Sequence, residues 1–97
     1  MKLRIGDVEL KSPVVAAPMA GVTDYSYRRI LHDMGAGLTV TEMVSAKAIL
    51  YGNKGNDTIL RTDEDMGPQA VQLFGSDPLI MASMAERVYG PFDIVDV

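Results

Sequence analysis

Three apolar runs, each followed by residues at helical spacing, constrain this chain more than any other feature. They are Val14 to Ala17, Leu38 to Met43 and Ala70 to Phe74, and a fourth run, Asp93 to Val97, begins after Pro91-Phe92. Strands alternating with helices of this length pair in parallel through right-handed crossovers. Two α/β architectures fit: an open doubly wound sheet, or the N-terminal portion of a (β/α)8 TIM barrel. A complete barrel takes ~250 residues, so a chain of 97 residues is less than half of one.

The chain opens with a charged alternation, Leu3, Ile5, Gly6-Asp7, Val8 and Leu10. Glycine first in a two-residue turn predicts a short β-hairpin of type II′. Val14 to Ala17 is apolar on both faces, as a strand buried in a parallel sheet is. Thr23 or Asp24 caps the next helix, with Tyr27, Ile30, Leu31 and Met34 on its apolar face. Arg28 and Arg29 are read as its solvated face, and Gly35 ends it. Leu38 to Met43 is the second strand, and Ser45 to Tyr51 a short helix stopped by Gly52. Residues 53–67 are polar and rich in Asp, Asn and Gly. They read as a loop, with a short strand at Ile59-Leu60-Arg61. Ala70 to Phe74 is the third strand, and Asp77 and Pro78 start a helix whose stripe is Ile80, Met84 and Val88. Val97 falls within the fourth strand, which suggests that residues 1–97 are one partial domain of a longer protein.

Composition removes several functional classes. The sequence has no cysteine and one histidine, so neither a disulfide framework nor a cysteine or paired-histidine metal site is expected. A net charge of −4 argues against a nucleic-acid surface on these residues themselves. The charged N-terminus is no signal peptide, and no apolar run reaches the ~18 residues of a membrane span. A cytoplasmic protein is the expectation.

Ligands of either architecture bind at the C-terminal ends of the strands. Those ends carry Pro18-Met19-Ala20-Gly21, Glu42-Met43, and Gln72, Phe74 and Gly75. The Pro18 to Gly21 loop offers backbone more than side chains. It is either a tight strand-to-helix turn or a surface against which a planar ring rests, with Met19 as a polarisable pad. Gln72 alternates away from Val71 and Leu73, and its amide needs hydrogen-bond partners. It is either satisfied within the protein, with Glu42 a candidate partner, or recognises a heterocycle edge. Glu42 reads as a solvated strand-end carboxylate, and Asp93 and Asp96 receive no role. Gly35-Ala36-Gly37 precedes a strand and is no dinucleotide fingerprint, and no Walker or nucleophile-elbow motif occurs.

Taken together, APMAGVTD, GAGLTVTEM, AVQLFGSDP and DIVDV resemble the tRNA-dihydrouridine synthases, from about Ile5 to Val97. That resemblance implies an FMN-binding (β/α)8 barrel. It implies that Pro18, Met19 and Ala20 lie along the flavin and that Gln72 hydrogen-bonds the isoalloxazine. The implied reaction is reduction of the uridine C5–C6 double bond in tRNA, with NADPH as reductant and a cysteine as proton donor. In the family that cysteine belongs to an Asn-x-Gly-Cys-Pro motif just after the strand that here reads Asp93 to Val97. No catalytic residue is therefore assigned within the chain, and the isolated chain is expected to be inactive. The tRNA would be held through other regions. The alternatives are another flavin-barrel oxidoreductase, such as a dihydroorotate-dehydrogenase-like enzyme, and a truncated, non-catalytic polypeptide.

Overall fold

The computed structural model describes residues 2–97. Strands β1 (Arg4–Ile5) and β2 (Val8–Glu9) form the antiparallel hairpin, with Gly6 at φ +57°. Then come β3 (Val15–Ala16), α1 (Tyr25–Asp33), β4 (Leu38–Ser45), α2 (Ala46–Leu50), α3 (Gly55–Ile59), β5 (Gln69–Phe74), α4 (Pro78–Val88) and β6 (Ile94–Asp96). Strands β3 to β6 form one sheet in the order β3-β4-β5-β6, every neighbouring pair parallel. The sheet is open, with β3 and β6 at its edges, so the described residues form an α/β parallel sheet and not a closed barrel.

One face of the sheet is covered by an apolar core. Val44, Val71 and Leu73 meet Ala46 and Ile49 of α2, Met84 and Val88 of α4, and Phe92. The α4 stripe is the one its sequence spacing predicts. Asp77 caps that helix by accepting from the Leu79 and Ile80 amides at 2.9 and 3.3 Å, and Pro78 costs nothing where no amide partner is available. On the opposite face, Val8 and Leu10 pack over Leu38, Val40, Ala70 and Ile94. Leu38, Ala70 and Ile94 lie at or near the N-terminal ends of their strands, so the hairpin covers that end and leaves the C-terminal end open.

Four expectations are corrected. The first strand is not buried: Val14 and Val15 are 59% and 46% exposed, because β3 has a neighbour on one side only. In α1 the polarity departs from the expectation, although Leu31 is half-buried. Ile30 and Met34 face solvent, whereas Arg28 is the buried residue of the helix. The Arg28 guanidinium reaches three backbone carbonyls, so hydrogen bonding, not apolar area, fixes that face. Residues 53–67 are more ordered than a loop, holding α3 and a 3-10 turn at Glu64–Met66. No strand forms at Ile59-Leu60-Arg61, since Ile59 closes α3 and the Ile59 and Arg61 carbonyls are given to Arg28 instead of a neighbouring strand.

Close approach explains one glycine. A Cβ on Gly37 would overlap the Ser12 carbonyl, so the segment leaving the hairpin crosses hard against the start of β4.

Candidate functional site

The C-terminal ends of β3, β4 and β5 share one rim of the sheet. The first group there is the turn from Met19 to Val22, where the Met19 carbonyl accepts from the Val22 and Thr23 amides, both at 3.0 Å. Gly21 sits third in that turn at φ +76°, a conformation that suits glycine and fits a type II turn. Pro18 is half-buried, and Met19 and Ala20 are exposed. The loop thus presents a small, bare surface, as the sequence suggested.

What holds the loop was not legible in the sequence. The Thr23 hydroxyl, 1% exposed, bonds both the Met19 amide and the Met19 carbonyl at 3.1 Å. Arg28, also 1% exposed, donates from Nε to the Thr23 carbonyl at 3.3 Å, and from Nη2 to the Ile59 and Arg61 carbonyls at 3.1 and 2.8 Å. Burial pushes the Arg28 pKa down from the usual guanidinium value, opposed by the charges of Asp24 and Glu42. Glu42 Oε1 accepts from the Gly21 amide at 2.5 Å. Glu42 is therefore no free strand-end carboxylate. It is half-buried and anchors the tip of the loop. A carboxylate accepting a backbone amide at such a turn is a strong, directional tether.

A bulge in β4 decides which side chains reach the rim. Val40 pairs with Ala70 and Met43 with Gln72, so β4 carries one residue more than β5 over this interval. The Thr41 hydroxyl accepts the Gln72 amide at 3.1 Å and donates to the Glu42 carbonyl at 2.8 Å, bridging the irregularity. Strict alternation from Val40 would turn Glu42 toward Gln72. With the extra residue, Met43 takes that place and Glu42 is released toward the loop. This is why the pairing of Gln72 with Glu42 is not found.

Gln72 bonds Asp96 instead, Nε2 to Oδ2 at 3.0 Å, across the register pair that joins β5 to β6. Asp96 thus orients the amide, leaving Gln72 Oε1 without a hydrogen bond among the described residues. A signal for this existed: adjacent parallel strands carry Gln72 and Asp96 at the same height. Asp93, likewise unassigned from sequence, accepts the Gln69 amide at 2.9 Å and plays a structural part at the other end of the sheet.

The rim also exposes large apolar groups. Met19, Met43 and Phe74 are 46%, 57% and 47% exposed, and Met43, Gln72 and Phe74 share the face opposite Val71 and Leu73. Apolar surface beside an oriented carboxamide and a braced backbone turn suits a flat heterocycle with polar edges. Among the described residues no group of three or more His, Cys, Asp or Glu could hold a metal ion. No helix among them is long and apolar enough to cross a membrane.

A model of the dihydrouridine synthase family matches residues 14–97. The chain is 42% identical to tRNA-dihydrouridine synthase B of Proteus vulgaris over 84 residues, covering 87% of the chain and 26% of that relative. It is 40% identical over 97 residues to the proteins of that name from Salmonella typhimurium and Escherichia coli strain K12, covering 98% of the chain and 30% of each relative. The chain therefore spans about 30% of the length of these curated relatives.

Proposed function

The chain belongs to the dihydrouridine synthase family, and from that premise we propose that it contributes the first strands of a (β/α)8 barrel that binds FMN and reduces uridine in tRNA. Residues 1–97 are the proposed partial FMN-binding domain. Pro18, Met19 and Ala20 carry the flavin face, and Gln72 addresses the isoalloxazine edge. The observation that carries this reading is the braced, exposed Met19–Val22 turn on the same rim as an amide whose acceptor oxygen has no partner.

Bound FMN, recharged by NADPH, would supply the hydride for one carbon of the uridine C5–C6 double bond. The residues of this chain then have three tasks. The turn positions one face of the ring. Gln72, oriented by Asp96, offers an acceptor oxygen to a ring N–H. Met19, Met43 and Phe74 cover apolar ring surface and exclude water from it. A proton for the second carbon needs a donor from outside these residues, because the family's cysteine has no counterpart in a sequence without cysteine. The chain by itself is expected to show no turnover. The base has to leave the tRNA stack to reach such a rim, and with a net charge of −4 the tRNA backbone is held by other regions. The proposed compartment is the cytoplasm.

The test begins with the gene product purified from its host. Expected are a flavin absorbance, release of FMN on denaturation, and NADPH-dependent dihydrouridine in tRNA. Gln72→Leu should lower flavin retention at least about tenfold, since a buried polar edge loses its partner. A colourless protein, or a flavoprotein that reduces a free pyrimidine but not tRNA, would overturn the proposal.

A further inference from the structure

One register row crosses the rim of the sheet. Met43 of β4, Gln72 of β5 and Asp96 of β6 pair side by side, and Gln72 Nε2 donates to Asp96 Oδ2 at 3.0 Å. A carboxylate accepts and cannot donate, so it holds the amide by its NH2 group and turns the amide oxygen away. The proposed function uses that oxygen. It gives no part to the charge behind it.

Two observations make that charge matter. Asp96 forms no ion pair among the described residues, so no fixed cation cancels it. Glu42, the other carboxylate of the rim, is by contrast committed to the Gly21 amide and feels the charge of the buried Arg28. The second observation is apolar surface: Met43 lies beside Gln72 on the neighbouring strand, and Phe74 lies two residues along its own strand on the same face. Apolar surroundings lower the local dielectric and lengthen the reach of a charge.

We propose that Asp96 is a positioning residue that, through its hold on Gln72 and its charge, lowers the reduction potential of the flavin. The inference rests on the flavin reading of the rim. Taking up the hydride that converts NADPH to NADP+ adds two electrons and one proton to a flavin, one negative charge in all. Asp96, one amide away, opposes that added charge and favours the oxidised form. It thereby strengthens hydride donation toward uridine and weakens hydride acceptance from NADPH. A neutral amide at position 96 would keep a partner for Gln72 and lose this effect.

The test uses the gene product purified from its host and its Asp96→Asn and Asp96→Glu variants, each loaded with FMN. Reduced and oxidised flavin are measured by absorbance against a reference dye at low ionic strength. Asparagine keeps the shape and an acceptor for Gln72 but removes the charge. It should raise the ratio of reduced to oxidised flavin at a fixed poise roughly three- to tenfold, where tenfold is about 30 mV for a two-electron couple. Asp96→Glu keeps the charge and should stay closer to the parent than Asp96→Asn does. In rapid mixing, Asp96→Asn should speed flavin reduction by NADPH and slow reoxidation by tRNA, whereas a merely structural loss slows both. An unchanged or lowered ratio in Asp96→Asn, or slowing of both half-reactions, overturns the proposal and leaves the flavin reading standing. A gene product without flavin overturns that reading, and the proposal with it.

Discussion

Helices α1 and α4 both follow a strand of the same sheet and are held in opposite ways. Helix α4 packs by area, with Met84 and Val88 buried under an apolar stripe that its sequence announces. Helix α1 is held by direction. Arg28 reaches three carbonyls, and Arg29 grips Asp65 through two bonds at 2.7 and 2.9 Å. The Tyr25 hydroxyl bonds Asp63 with Arg61 stacked over its ring, while Ile30 and Met34 face solvent. Apolar packing tolerates small slides, whereas hydrogen bonds to named carbonyls fix register. The helix that follows the candidate flavin loop is the one held by direction.

The sharpest break in this contrast is Arg28→Met. It strips three carbonyls of a donor in a buried setting, and a loss of at least ~3 kcal/mol is expected in urea unfolding. The Met19 and Gly21 amides should exchange faster as well. Met84→Ala should cost about 2–3 kcal/mol through the cavity it leaves, yet leave exchange in the Met19–Val22 turn unchanged. Loosening of that turn by the α4 variant would erase the distinction between the helices.

Smaller effects sharpen it further. Glu42→Ala removes the tether on the Gly21 amide, and a stability loss of about 1 kcal/mol is expected, with the protection lost at Gly21 alone. The Arg29 hydrogen bond holds the Asp65 carboxyl below the usual carboxylate range. Its contribution is therefore complete above the ordinary carboxylate pKa and lost as pH falls through the lowered folded value. Asp65→Asn should flatten stability against pH in that acid window and nowhere else. Least of all, Met34→Gln on the exposed face of α1 should change stability by no more than ~0.5 kcal/mol. A larger loss would mean that the face is covered in solution.

The same contrast explains what could be read in advance. The parallel sense of the strands, the hairpin, the Asp77 cap, Asp24 as one of two cap candidates, and the α4 stripe follow from periodicity and capping chemistry, which are local. Pro18, Met19, Ala20 and Gln72 were placed on a rim by strand-end reasoning and by family resemblance. The brace was illegible because a buried arginine has the sequence pattern of a solvated one. Its partners are carbonyls of residues 23, 59 and 61, which carry no side-chain signal. Glu42 was misplaced because a bulge shifts alternation by one residue, and nothing in Thr41-Glu42-Met43 marks the extra residue. The exposure of β3 reflects an open sheet edge, a property of what lies beside a strand and not of the strand itself.

The central claim is that the polar brace around Arg28 sets the loop proposed to receive the flavin. Its most direct test compares FMN affinity in two variants of the gene product purified from its host, at a temperature where both are folded. Arg28→Lys keeps the charge but cannot reach the Thr23, Ile59 and Arg61 carbonyls together, and should bind FMN at least about tenfold more weakly than the parent. Met84→Ala, although destabilised, should bind within about twofold. Equal affinity in the two variants would contradict the account.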